Sequence, residues 1–245
     1  MPSEAQKFIK ESEDTLIASI ATIHLIEEKE DNSGTVIGSK DYDFSKKEDI
    51  YTFENDLKKL KAKNLDQLFG FNMIQPMAEN NHGGYIITGI NATRISSTHD
   101  VEFQLQGYWE WKTVLLVSSY DRVTLGWTDS FSSSESSHLA FGNRYSDGAS
   151  ITLTKHPYNT SGFFNKGVMW RHRTNHRTYG NVLARIYHNG ISNKEFGMWF
   201  EYVAPGGPTS DDSWAIDVLN RIASYFGVPM PIHIDRFKTF VKRQI

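Results

Sequence analysis

Between Thr15 and Ile26 apolar residues fall on both faces of an extended chain, at Leu16, Ile17, Ile20, Ile23, Leu25 and Ile26. A strand apolar on both faces is one covered from two sides. Asp31-Asn32-Ser33-Gly34 reads as a turn and Thr35-Val36-Ile37 as the return strand. The period then lengthens. Over residues 47–63, Ile50, Phe53, Leu57 and Leu60 recur at helical spacing, with Lys58, Lys59, Lys61 and Lys63 at the end where cations oppose the helix dipole. After a loop marked by Pro76 and His82-Gly83-Gly84, the pattern returns to short strands. These are Tyr85–Thr88, Val101–Gln106, Thr113–Ser119, Val123–Trp127, Ser150–Thr154, Val168–Arg171, Asn181–Tyr187 and Phe196–Val203. Turn-forming stretches separate them, among them the serines of 130–137, Asp147-Gly148, Asn189-Gly190 and 204–208. Short strands at this spacing predict an antiparallel β-sandwich or barrel.

Both ends read as helical. Ser3 and Gln6 have capping-box spacing behind Pro2, and Phe8 and Ile9 give residues 3–13 a narrow apolar stripe. That stripe is too small to hold a helix alone, so the arm must dock on something. Asp211, Asp212 and Ser213 open a segment carrying Trp214, Val218, Leu219, Ile222 and Phe226, stopped by Gly227 and Pro229. Residues 235–243, with Phe237, Phe240 and Val241, are expected to form a last short helix. The expected organisation is mainly β with flanking α in a single domain over 1–245. It comprises a projecting arm (1–13), a sandwich (14–209) with an inserted helix (47–63), and a helical segment (210–245).

Composition narrows the function. A chain of 245 residues can bury a core without covalent help. Its net charge of −3 offers no cation excess for coating nucleic acid. No cysteine is present, which removes disulfides, thiolate metal sites and cysteine nucleophiles. The longest aliphatic run, Val114 to Val117, is far too short for a membrane-spanning helix. Met1 to Ala5 has neither a basic nor an apolar stretch, so no secretory signal is expected.

Candidate chemistry is sparse. The sequence has no GxSxG, HExxH, P-loop or GxGxxG motif, and no enzymatic activity is expected. His172 and His176 would share a metal on a helix, but their surroundings favour strand and loop, and Arg171, Arg173 and Arg177 repel a cation. Those arginines read either as a solvated basic loop or as a phosphate-holding set. Trp109 and Trp111 share one face of an extended segment. They read as core or subunit contact, or as a surface for a sugar, a lipid headgroup or a partner. Asp41-Tyr42-Asp43 reads as a solvated loop, and the sequons at Asn91 and Asn159 as chance matches.

The order of elements resembles one family. An arm helix precedes a strand and a turn at Asn32-Ser33-Gly34, then the helix ending Leu57-Lys58-Lys59-Leu60 and a turn at Asn81-His82-Gly83-Gly84. Sandwich strands follow, and a Pro/Gly/Ser stretch at 205–213 leads to a helix with Val218-Leu219 and Tyr225-Phe226. This succession is similar to that of the cypovirus polyhedrins, which crystallise in infected insect cells around virus particles. The resemblance implies a homotrimer packed into a crystal lattice in the host cell cytoplasm, with the arm of Phe8 and Ile9 locking neighbours together. It implies an occlusion body that protects virions and dissolves at alkaline pH. No cofactor is required, although bound nucleotide (ATP or GTP) held through Arg171, Arg173 and Arg177 is compatible with it. Complete loss of 16 lysine charges and gain of 11 tyrosinates would take the net charge from −3 to −30, which fits alkaline dissolution. The competing reading is a membrane- or glycan-binding β-sandwich, a pore-forming toxin or lectin-like module, resting on Trp109 and Trp111.

Overall fold

The apolar run of Ala18 to Ile26 is the middle of a strand whose two faces enter two different cores. Ala18, Ile20 and Ile26 pack into one and Ala21, Ile23 and Leu25 into the other, as the double-sided pattern predicts. The computed structural model describes residues 15–28, 34–61, 84–95, 98–112, 119–127, 131–155, 167–174, 177–190, 195–205 and 234–244. Among these, β1 (Thr15–Glu28), β2 (Gly34–Asp43), α1 (Lys47–Lys61), β3 (Gly84–Arg94), β4 (Val101–Trp111) and β5 (Ser119–Trp127) follow in order. Then come β6 (Ser132–Ser133), a 3-10 turn (Glu135–Ser137), β7 (Leu139–Arg144), β8 (Thr154–Lys155) and β9 (Gly167–Thr174). The chain closes with β10 (Thr178–His188), β11 (Glu195–Pro205) and β12 (Ile234–Gln244).

Two antiparallel sheets form from the described strands. The first runs β2-β1-β3-β4-β10, with β6 and β7 end to end along the far edge of β10. The second runs β12-β11-β5-β9-β8. Between them lies the larger core, where Phe103, Leu105, Trp109 and Trp111 meet Val123, Leu125, Trp127, Trp170 and Phe200. Trp109 stacks parallel to Phe200, with ring centroids 6.4 Å apart. The close approach requires Gly107, because a Cβ there would overlap the Phe200 ring. The chain is thus an antiparallel β-sandwich, as the strand pattern predicts.

The smaller core lies outside the first sheet. There α1 lays Phe53 and Leu60 over Ile23, Tyr42, Tyr85 and Ile87. Phe53 meets Tyr42 and Phe44 edge-on, each at 5.0 Å. The helix matches the periodicity, but its buried face includes a residue the apolar pattern passes over. Asp56 is buried, accepts hydrogen bonds from Tyr42 Oη and Lys40 Nζ (both 2.8 Å), and lies 3.6 Å from Lys59 Nζ. A carboxylate that ties helix to sheet in this way must keep its partners, since a buried charge without them is costly.

One expectation fails. Residues 235–243 are not helical but lie in β12, paired along its length with β11 from Glu195↔Gln244 to Pro205↔Ile234. Phe237, Phe240 and Val241 have the i, i+3, i+4 spacing of a helix face, and the pairing with β11 overrides it. The strands are also longer than expected, and of the predicted strand at Ser150–Thr154 only a bridge at Ser150 and β8 remain. The arm (1–13) with Phe8 and Ile9, the turn at 31–33, residues 113–118 and the helix at 214–226 lie outside the described residues.

Thr239 of β12 closes a buried polar ribbon between the sheets. Thr22 Oγ1 donates to Asp41 Oδ1 (2.7 Å), Thr239 Oγ1 lies 2.7 Å from both Thr22 Oγ1 and Thr88 Oγ1, and His24 joins Thr88 (2.9 Å) to Ser39 (2.7 Å). Each hydroxyl has one proton, so only one arrangement satisfies all five contacts. Thr239 donates to Thr22, Thr88 donates to Thr239, His24 Nε2–H donates to Thr88, and Ser39 donates to His24 Nδ1. Burial holds His24 neutral, with its pKa lowered to about 3.

Candidate functional site

Helix α1 covers only part of the outer face of the first sheet. Along β10 the burial pattern alternates, with Val182, Ala184 and Ile186 inward and Leu183, Arg185 and Tyr187 outward. The neighbouring outward positions of β4 are Glu102 and Gln104, set opposite Tyr187 and Arg185. Outward from β7 stand Leu139 and Phe141, opposite Leu183 and Asn181, with Tyr145 just beyond the strand. Leu139, Phe141 and Tyr145 are 48%, 54% and 40% exposed, an apolar row on an edge strand. Tyr145 also packs on Tyr179, at 4.9 Å between ring centroids.

At one end this open face deepens into a cleft of about 420 Å³, lined by His99, Glu102, Gln104, Arg185 and Tyr187 on one side and by Ser134, Ser136 and Leu139 on the other. It forms where the edge strand breaks between β6 and β7, so the intervening 3-10 turn rises as a wall. That wall is pinned. Ser137 Oγ accepts from the Arg185 amide (3.1 Å) and donates to the Ser134 carbonyl (2.6 Å). His138 turns inward beside Ser133 Oγ (3.0 Å), and burial, aided by Lys155, lowers its pKa to about 4. Across the cleft, His99 stacks on Tyr187 at 4.1 Å and 14°. Asn189 Oδ1 lies 3.0 Å from His99 Nδ1, and Asp100 accepts from the Gly190 amide (2.6 Å) at a turn with φ of 131°.

The residues singled out in the sequence fall elsewhere. Trp109 and Trp111 are buried between the sheets, Trp109 donating to Thr178 Oγ1 (3.2 Å). They are core, and offer no surface to a membrane or a sugar. His172 is buried beneath Trp109, 5.7 Å between ring centroids, and its Nε2 lies 3.3 Å from Tyr202 Oη, which donates to Asp121. Burial lowers the His172 pKa to about 4. Among the described residues no His, Asp or Glu cluster with metal-binding geometry occurs, and His176 lies outside them. Asp41 and Asp43 serve locally, to Thr22 and to Ser45. Asn91 is buried and accepts from Ser19 Oγ (2.7 Å), so that sequon is internal.

Arg171 and Arg173 occupy alternate positions of β9, the first half-buried and the second exposed, and both engage partners. Arg177 belongs to the approach to β10 in the other sheet, and its guanidinium reaches the Lys112 carbonyl at 3.4 Å. Two of the three arginines therefore share a sheet face, and the third is directed to the end of β4. The cleft residues are not apparent in the sequence because they come from three separate segments, each bland alone. The one available signal was the polar-apolar alternation of β10.

No protein-family model matches the sequence, and none of the curated proteins does. Solved structures with some similarity include one describing pH-induced modulation of Streptococcus parasanguinis adhesion by Fap1 fimbriae, with 15% identity over 46% of this chain and 58% of that one and a TM-score of 0.28. Another is the T6 backbone pilin of serotype M6 Streptococcus pyogenes, with 9% identity over 91% of this chain and 61% of that one and a TM-score of 0.36. A third is AvmM, which catalyses macrocyclization in alchivemycin A biosynthesis, with 9% identity over 46% and 72% and a TM-score of 0.19. The chain spans about three fifths of the length of the first two. These scores are too low for any of the three to define a fold family for this chain.

Proposed function

We propose that the chain is a structural protein that works by associating with copies of itself rather than by turnover. The observation that carries this reading is the exposed row of Leu139 and Phe141 on the edge strand β7 with Tyr145 just beyond it. Large apolar side chains in register on a sheet edge are a liability for a monomer and an asset for an assembly. The net charge of −3 presents little repulsion to close packing near neutrality. In its finer form the proposal is the crystalline occlusion body that the polyhedrin resemblance implies, built from trimers around virus particles in the host cell cytoplasm. Its alkaline dissolution would rest chiefly on lysine. Tyr42, Tyr85, Tyr108 and Tyr202 all have their pKa raised, primarily by burial, and contribute no early charge.

Light scattering during size-exclusion chromatography tests the coarse proposal, and microscopy of expressing insect cells tests the fine one. The expected result is a mass that grows with concentration and collapses toward one chain in Phe141→Ser. A wild-type protein that stays monomeric at every concentration overturns the proposal. Assemblies that form in solution without crystals in cells would retain self-association and remove the occlusion body.

A further inference from the structure

We propose that the cleft at the break between β6 and β7 binds an uncharged, hydroxyl-rich ligand, a saccharide of one or two rings. The chemistry of its walls selects this class. Glu102 and Arg185 bring one negative and one positive group to the same concavity, on adjacent strands and two residues apart in register. No ion pair among the described residues engages either of them. An anion would set its charge against Glu102, and a cation against Arg185. A neutral polyol meets both favourably, donating to the carboxylate and accepting from the guanidinium, and each such charge-assisted bond is stronger than a neutral one.

The rest of the lining suits the same ligand. Gln104 both donates and accepts, and the hydroxyls of Ser134 and Ser136, bonded to each other at 2.9 Å, leave one proton and their lone pairs for neighbouring sugar hydroxyls. Leu139, Leu183 and the stacked His99–Tyr187 pair supply apolar and aromatic surface for the C–H face of a ring. The volume of about 420 Å³ falls within the roughly 300–1,000 Å³ of small-molecule sites. The walls are also held before any ligand arrives. Ser137 ties the serine turn to β10, and Asn189 together with the stack fixes His99. Pre-ordered walls lower the entropic cost of binding.

Saturation-transfer NMR and calorimetry with a panel of neutral mono- and disaccharides, alongside inorganic phosphate, test this. At least one saccharide is expected to bind saturably, and Glu102→Gln with Arg185→Gln to weaken it by about tenfold or more with the melting temperature unchanged. If the double variant fails to fold, each single variant is expected to show a partial loss. Phe141→Ser should bind saccharide as the wild type does, which separates this site from the self-association proposed above. Absence of saturable binding by every saccharide, tighter binding of phosphate, or undiminished affinity in the folded variants would each overturn the assignment.

Discussion

The outer face of the first sheet has two halves built on opposite principles. Under α1, residues of β1, β2 and β3 are apolar and buried, and Asp56, the buried charge there, is tied to Tyr42, Lys40 and Lys59. Over β4, β10 and β7, the same outward positions carry Glu102, Gln104, Arg185 and Tyr187 beside exposed Leu139 and Phe141. Both halves share one backbone ladder and one interior core. The covered half stabilises the molecule, whereas the open half is free to meet something else, since its side chains are not needed to hold the sheet together.

That contrast can be broken experimentally. The largest effect is expected from Phe53→Ala, which leaves a cavity between α1 and the sheet and should cost about 3–5 kcal/mol in urea unfolding. A loss near that for Phe141→Ala on the open half would erase the distinction. Acid comes next. Burial lowers the pKa of His24 to about 3 and of His172 to about 4, below the unfolded value of about 6.5. The unfolded chain therefore binds protons first, so stability is complete above pH ~6.5 and falls as pH drops toward ~4. His138, lowered to about 4, acts the same way, so one unit below pH ~6.5 the three histidines together should cost about 4 kcal/mol, measurable by denaturant melts across pH. A flat profile would mean that these rings are solvated. Asp56→Ala should cost about 2 kcal/mol, since it strands Tyr42 Oη while its two lysines, partly exposed, can turn to water. The smallest change is expected from Phe141→Ser, within about 0.5 kcal/mol by thermal melting although it dismantles association.

The two halves also differed in how much the sequence disclosed. Runs apolar on both faces, as in β1, announce double burial, and the spacing of Ile50, Phe53, Leu57 and Leu60 announces the helix that provides it. Asp56 could not be read, because a carboxylate on a helix is ordinarily solvated and its hydrogen-bond donors, Lys40 and Tyr42, come from β2, outside the helix. The cleft was hidden for a related reason. His99, Glu102, Arg185 and Ser136 become neighbours only through the pairing of β4 with β10 and the break in the edge strand, which no local spacing encodes. Trp109 and Trp111 attracted attention because indoles in alternation look like a binding surface, yet alternation equally marks the inward face of a strand. The helix expected at 235–243 failed because the spacing of Phe237, Phe240 and Val241 is helical and only pairing with β11, which no local spacing reveals, makes the segment a strand.

The hydroxyl of Thr239 sets a condition on how the last strand can be threaded. If β12 slid by a single residue along β11, its side chains would exchange faces, and Lys238 or Phe240 would arrive where Thr22 and Thr88 await a partner. Neither can both give and take a proton there, so Thr22 would lose the donor to its lone pair and the buried Thr88 hydroxyl proton would lose its acceptor. A single small alcohol thereby proofreads the alignment of β12 against the facing sheet.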